Sequence, residues 1–166
     1  TKKKRIAILT GGGDCPGINA VIRAVAKKAM LEYGLEVIGI EDGYEGLIHN
    51  RHRKLGYHEV SGILTIGGTI LGTTNTSNPY RYAVQKGTKI IFKDVSKKAL
   101  ANAKALGIDC LVCIGGDGTL AIASMMMKDG LPIVLETAAG GPRRVPLDHP
   151  LIAAARALGT SFGDEK

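Results

Sequence analysis

Short unbroken apolar runs alternate along the chain with longer segments in which apolar residues recur every three or four positions. The apolar runs are residues 5–9, 35–40, 109–114 and 132–135. Continuous runs of this length are typical of strands buried on both faces of a parallel sheet. The segments with helical spacing are residues 17–33, 94–106 and 118–128. This order predicts an α/β fold, a three-layer sandwich with a mostly parallel, Rossmann-like sheet and helices on both faces.

The pattern weakens between residues 51 and 82, where the chain is rich in Gly, Thr and Asn. Gly72 and Thr73 lie within this stretch. Open backbone and hydroxyl groups suit a loop that binds a ligand, but the same residue types also form ordinary solvated turns. Both interpretations stay open at this point.

Composition and charge narrow the class of protein. The chain has 166 residues, of which 45% are hydrophobic and 22% charged, as in ordinary soluble globular proteins. No apolar run approaches the ~18 residues of a membrane span, which argues against a membrane protein. No signal-peptide pattern follows the basic start, so we expect a cytoplasmic protein. The net charge of +7 favours small anionic ligands over nucleic acid, because no aromatic ladder accompanies the basic residues.

The cysteines argue against zinc binding or redox chemistry. Cys110 and Cys113 form a C-x-x-C pattern within an apolar run. Residues three apart on a strand point to opposite faces of the sheet, so the two thiols are not expected to share a metal or a disulfide.

Two glycine-rich turns carry the chemistry that the sequence predicts. They are TGGGDCPGIN at residues 10–19 and GGDGTL at residues 115–120, and each follows an apolar run and precedes a helical segment. A parallel strand that ends in such a turn brings backbone N–H groups and a helix N-terminus to the edge of the sheet, where they can bind phosphate. Gly11, Gly12 and Gly13 allow an anion to approach closely because they have no Cβ atom.

Asp117 is the predicted Mg²⁺ ligand, because its carboxylate lies at the end of a strand between Gly116 and Gly118. Asp14 is a second candidate, but it could equally cap the helix that begins near residue 16. Thr119 offers a hydroxyl at a helix N-terminus and could also be a cap. The chain has no G-x-x-x-x-G-K-[ST] motif, so it is not a P-loop protein. The sequence therefore predicts a site for Mg²⁺ and a nucleotide, ATP or ADP.

Three motifs together resemble the 6-phosphofructokinase family, in the same order and at the same separation. They are GGGDCPGIN at 11–19, GGTILG at 67–72 and GGDGT at 115–119. The resemblance covers residues 4–134, and two later segments are similar to the family's carboxyl-terminal tail: VPLDHPL at 145–151 and GTSFGD at 159–164. It implies ATP-dependent phosphoryl transfer to fructose 6-phosphate in glycolysis. It also implies homo-oligomers, although the oligomeric state cannot be read from the residues themselves.

Carried over to this chain, the resemblance implies that Gly12 lies at the γ-phosphate and that Asp117 binds Mg²⁺. Gly118 and Thr119 would line the nucleotide phosphates. Family members that use pyrophosphate tend to have Asp at the position of Gly118, where a carboxylate would repel an α-phosphate. Gly118 therefore favours ATP.

The chain departs from the family at two places. Asn75 stands where many members have an Arg that bridges the transferring phosphate, which leaves Asn75 and Arg81 as the candidate phosphate contacts. After residues 131–134 the family continues as Thr-Ile-Asp-x-Asp, whose first Asp is the base for the sugar hydroxyl, but this chain continues as LETAAGG. We expect a shortened chain without a sugar-phosphate domain. It would have a nucleotide-binding domain at residues 1–135, and a linker with a tail helix at 136–166 packing on that domain.

Three alternatives stay open. The chain could be a non-catalytic module that binds nucleotide or phosphate, or a pyrophosphate-dependent variant. Lipid and NAD kinases also use a Gly-Gly-Asp-Gly-Thr turn, but the first glycine turn and residues 67–72 argue against that alternative.

Overall fold

The computed structural model describes residues 3–13 and 15–136. The strands are β1 (Arg5–Thr10), β2 (Glu36–Ile40), β3 (His52–Lys54), β4 (Tyr82–Lys86), β5 (Lys89–Lys93), β6 (Cys110–Ile114) and β7 (Ile133–Glu136). The α-helices are α1 (Ile18–Leu31), α2 (Tyr44–His49), α3 (Ser96–Ala105) and α4 (Asp117–Lys128). A 3-10 turn covers Ile63–Thr65.

The main sheet has five strands in the order β3-β2-β1-β6-β7. The four apolar strands, β2, β1, β6 and β7, are parallel; β1 lies between β2 and β6, and β7 forms one edge of the sheet. Only β3 runs antiparallel, at the edge beside β2. The mostly parallel α/β sheet predicted from the apolar runs is confirmed.

Helices cover both faces of the sheet, as predicted. Helix α1 packs on one face through Ile18, Ile22, Ala26 and Ala29. Helices α2, α3 and α4 pack on the other face. The two cysteines of β6 belong to opposite faces, Cys110 to the α1 side and Cys113 to the other. Burial raises the pKa of the Cys113 thiol to about 12, so it stays protonated and unreactive at neutral pH.

Strands β3, β4 and β5 differ from the sequence-based prediction, which places no strand between the second and third apolar runs. Strand β3 has three exposed polar residues, so no apolar pattern marks it. Strands β4 and β5 form a separate two-stranded hairpin around Gly87, whose φ is +62°. The available signal was the turn at Gly87 between two short segments that contain β-branched and aromatic residues.

The predicted linker and tail helix lie outside the described residues, except for Glu136, and so does Asp14. Those assignments stay predictions. Within residues 3–13 and 15–136, no helix is both long enough and apolar enough to span a membrane.

Candidate functional site

The carboxyl ends of β1 and β6, which we call the crevice, mark the place where the chain leaves the sheet in opposite directions. The two strands are adjacent and parallel. Strand β1 leads to α1 on one face, and β6 leads to α4 on the other. Ligands of open α/β sheets bind at such a reversal of strand order. Both glycine turns predicted from the sequence lie here.

The two glycine turns are in direct contact. The backbone N–H of Gly11 donates to the carbonyl of Ile114 at 3.0 Å. A Cβ atom added to Gly115 would lie 2.6 Å from the Gly11 carbonyl oxygen and 2.7 Å from Thr119 Oγ1. Thr119 is buried between the turns and does not cap α4, because the N-cap position is Gly116. The glycines are therefore required for the approach of the two turns.

The segment that begins at Gly72 forms a third wall of the crevice. Gly12 has a φ of +86°, and its N–H points to the carbonyl of Thr74 at 3.4 Å. Its own carbonyl accepts a hydrogen bond from Thr73 Oγ1 at 2.7 Å. The buried hydroxyl of Thr10 donates to the carbonyl of Gly72 at 2.7 Å. The sequence left open whether the Gly-, Thr- and Asn-rich stretch is a ligand loop or a solvated turn. Part of it, residues 72–74, packs against the first glycine turn.

Asn19, in the first turn of α1, holds residues 66–70, which lie just before the segment that begins at Gly72. Its amide nitrogen donates to the carbonyl of Ile66 at 2.9 Å, and its amide oxygen accepts from the N–H of Ile70 at 2.7 Å. The side chain is buried. Neither Asn19 nor Thr10 was among the predicted site residues. The sequence feature that could have identified them is a polar residue beside the apolar residues of a buried strand or helix.

The exposed part of the crevice can bind anions. Gly13, Gly116 and Gly118 are exposed, and a Cβ atom added to any of them would meet nothing within 4 Å. Asp117 is exposed in the first turn of α4, a helix of 12 residues. The first N–H groups of a helix have no partner within the helix and attract phosphate.

The donor set around Asp117 fits Mg²⁺ that is shared with a phosphate. Magnesium commonly takes one or two carboxylates together with phosphate oxygens and water. Among the described residues no three His, Cys, Asp or Glu side chains converge to hold a metal. Asp117 would therefore hold the ion as part of a metal–phosphate complex rather than in a cage of protein ligands.

Asn75 and Arg81, the two candidate phosphate contacts, lie in different surroundings. Asn75 is exposed and directly follows Thr74, which contacts the first glycine turn. The guanidinium of Arg81 lies 4.3 Å from the centre of the Phe92 ring, so it stacks on the β4–β5 hairpin. The structure therefore brings Asn75 to the crevice and engages Arg81 elsewhere.

Tyr44, which the sequence did not single out, joins α2 to the second glycine turn. Its hydroxyl is buried and donates to the carbonyl of Thr119 at 2.8 Å. Burial, reinforced by the neighbouring Cys113 thiol, raises the pKa of Tyr44 far above its ordinary value. The phenol is therefore protonated at neutral pH, in the form that donates this hydrogen bond.

Replacing Tyr44 by Phe removes this hydrogen bond and keeps the ring. We expect the free energy of unfolding to fall by about 0.5–1.5 kcal/mol, the net value of one hydrogen bond. Urea unfolding of both proteins measures the difference. Tyr57→Phe, at a ring that is 49% exposed, is the matched control and should leave stability unchanged. Equal stability of Tyr44→Phe and the unmodified chain would contradict a role for this contact.

Comparison with known proteins agrees with the fold. The model of the phosphofructokinase family matches residues 5–138. The chain is 47% identical over 163 residues to ATP-dependent 6-phosphofructokinase 2 of Clostridium perfringens, covering 98% of this chain and 43% of that protein. It is 42% identical over 146 residues to pyrophosphate–fructose 6-phosphate 1-phosphotransferase of Dictyoglomus thermophilum, covering 88% of this chain and 37% of that protein.

Among solved structures, Pichia pastoris phosphofructokinase in the T-state superimposes with a TM-score of 0.71 at 33% identity, over 84% of this chain and 15% of that chain. The chain belongs to the phosphofructokinase family. It spans less than half the length of the two curated relatives named above.

Proposed function

We propose that the described domain binds Mg²⁺ and ATP in the crevice between β1 and β6, as the phosphoryl-donor half of a phosphofructokinase. The observation that carries this proposal is the convergence of two glycine turns and the segment after Gly72, with Asp117 exposed beside them. Phosphoryl transfer depends mainly on positioning and on stabilising charge, and these elements supply both for the donor.

Each element has a separate task in this proposal. The N–H groups of Gly13 and of the first turn of α4 bind phosphate oxygens, because both lie on the exposed side of the crevice. Asp117 holds Mg²⁺, which would neutralise charge on the phosphates. Thr119 packs against the glycines and keeps the two turns at a fixed distance.

Gly118 supports ATP rather than pyrophosphate as the donor. The position is exposed, and no atom lies within 4 Å of a Cβ atom placed there, so it leaves room for an α-phosphate. Relatives named for each donor match this chain. Pyrophosphate is therefore the alternative that the first experiment includes.

The sequence around β7 supports a second part of this proposal, that the chain lacks the acceptor half of the reaction. The strand ends in Leu135 and Glu136 and is followed in the sequence by TAAGG rather than by an aspartate-containing segment. We infer that this chain alone binds nucleotide without phosphorylating fructose 6-phosphate at a useful rate. In that case it is a nucleotide-binding module with the ancestry of a cytoplasmic glycolytic kinase.

Calorimetric titration with Mg-ATP, Mg-ADP and Mg-pyrophosphate tests the proposed site. We expect the chain to bind ATP only when Mg²⁺ is present, and Asp117→Ala to weaken this binding. Loss of a residue that merely orients a metal ligand costs roughly 10–100-fold in metal affinity, so loss of the proposed ligand itself should cost more. Glu32→Ala removes an exposed carboxylate directly after α1 that pairs with Lys28, and this variant should bind like the unmodified chain. Binding of none of the three ligands by a chain that unfolds cooperatively would make the proposal wrong.

A further inference from the structure

Glu45 on α2 links that helix to the segment that leads away from the crevice. Its Oε2 accepts a hydrogen bond from Ser77 Oγ at 2.5 Å, and its Oε1 accepts one from Tyr82 OH at 2.8 Å. His49 Nε2 lies 3.3 Å from Oε1 and 3.0 Å from the Tyr82 hydroxyl. One carboxylate therefore engages two hydroxyl groups from a segment more than 30 residues further along the chain.

The contact with Ser77 completes a second anchor for the segment beside the first glycine turn. The first anchor is the contact of Thr73 and Thr74 with Gly12. Only Asn75 and Thr76 lie between the two anchors, and both are exposed. With both anchors in place, this pair of residues has little freedom to move away from the glycine turn.

The carboxylate suits this task better than an amide would. Each of its two oxygens accepts a hydrogen bond from a different hydroxyl, whereas an amide has a single carbonyl oxygen. Burial favours the neutral acid, but the hydrogen bonds from Ser77 and Tyr82, with the charges of His49 and Arg51, outweigh it and lower the pKa of Glu45. Glu45 is therefore ionised at neutral pH, in the form that both hydroxyls require.

An ordinary helix contact does not account for the whole arrangement. Glu45 and His49 are four residues apart on α2, and such pairs contribute only a few tenths of a kcal/mol as a rule. The pair explains the contact with His49. It does not explain why Ser77, which is 9% exposed, directs its hydroxyl at the same carboxylate.

We infer that Glu45 is a positioning residue for the candidate nucleotide site: it holds Asn75 and Thr76 beside Gly12 by accepting hydrogen bonds from Ser77 and Tyr82. This inference rests on the proposed function for its consequence in binding. The hydrogen bonds of Glu45 go to Ser77 and Tyr82 rather than to the two glycine turns. It acts on them through the segment that it anchors.

The test compares Glu45→Gln with Glu32→Gln in the 166-residue chain. Both variants remove one carboxylate charge from a pair of residues four apart, within α2 for Glu45 and at the end of α1 for Glu32, but only the first affects residues 73–82. We expect Glu45→Gln to accelerate amide hydrogen exchange in residues 73–82 and to weaken Mg-ATP binding by about 3–10-fold, the effect of losing roughly one net hydrogen bond. Exchange in β1 and β6 should stay unchanged. Glu32→Gln should match the unmodified chain in both measurements.

A second variant keeps the inference testable if Glu45→Gln does not fold. The double variant Ser77→Ala/Tyr82→Phe removes both donors and leaves Glu45 in place, so it should give the same faster exchange and weaker binding. Adding Glu45→Gln to it should cause no further loss, because groups in one network are not additive. Unchanged exchange in residues 73–82, or fully additive losses, would overturn the inference.

The same data separate this inference from the proposed function. If the unmodified chain binds none of the ligands, the proposed function fails, and with it the role of Glu45 at a nucleotide site. Exchange measured without ligand still decides whether Glu45 anchors the segment. If ATP binds and Glu45→Gln changes neither measurement, the proposed function stands and the inference alone is wrong.

Discussion

Incubated with Mg-ATP and fructose 6-phosphate, this chain is expected to form fructose 1,6-bisphosphate at a rate far below that of an intact phosphofructokinase. The segment after β7 lacks the aspartate that the family resemblance assigns as base, and loss of a positioned base costs roughly 10²–10⁴-fold in rate. Lack of the acceptor site, which we propose for this chain, would also remove much of the ~7–11 kcal/mol that proximity can contribute. The two effects overlap, so their sum would overstate the loss.

A coupled assay that follows fructose 1,6-bisphosphate measures this rate. The ATP-dependent 6-phosphofructokinase 2 of Clostridium perfringens, which is 47% identical to this chain, is a suitable positive control in the same assay. Calorimetry on the same preparation shows whether the donor site is intact. Turnover comparable to that of the control enzyme would mean that an unrecognised group supplies the base.

Gly115→Ala is expected to have a large effect on both stability and ligand binding. The new Cβ atom would lie 2.6 Å from the Gly11 carbonyl oxygen and 2.8 Å from Thr119 Cβ, and neither is the end of a flexible side chain. The two glycine turns must therefore move apart. We expect a loss of about 1–3 kcal/mol in the free energy of unfolding, as for other overpacked sites. We also expect Mg-ATP binding to weaken, because both turns contribute N–H groups to the crevice.

Gly17→Ala is the matched control for this substitution. A Cβ atom there meets nothing within 4 Å, and the backbone φ of −86° suits alanine. Urea unfolding and calorimetry of the two variants separate the close approach of the turns from the general effect of replacing a glycine. If Gly115→Ala were as stable as Gly17→Ala and bound ATP equally well, the turns would not be in the tight contact described here.

The apolar runs were sufficient to locate the four parallel strands to within about two residues, a usual margin for element boundaries. Strands buried on both faces are continuous in apolar character, so local sequence identifies them directly. The three helices with clear spacing were also predicted, and each begins and ends close to its expected limits. Strand β3 and the β4–β5 hairpin were missed because they bury little surface and have no strong apolar pattern.

Some predicted site residues could be placed from neighbouring sequence alone, and others could be placed only from tertiary contacts. The glycines and Asp117 follow strands directly, so their placement at one edge of the sheet could be predicted from the order of elements. Asn75 and Arg81 could not be separated by sequence, because only the stacking of Arg81 on Phe92 shows that this guanidinium is engaged with the hairpin. Asp14 lies outside the described residues, so its role stays a prediction.

The positioning residues became visible only in three dimensions. Tyr44 and Thr119 are 75 positions apart, and Glu45 and Ser77 are 32 apart. A hydrogen bond between such distant residues leaves no periodic signal in the sequence. It depends on how α2 packs between α3, the hairpin and the second glycine turn.

Local sequence determined which segments form strands, where each strand ends, and that glycine-rich turns follow two of them, because strand burial and backbone freedom are properties of short segments. The tertiary structure alone decided that β1 and β6 are neighbours whose helices cover opposite faces. It also decided that the segment after Gly72 closes the crevice. Strand order and side-chain contacts across the fold arise from the packing of distant segments, and no short stretch of the chain specifies them.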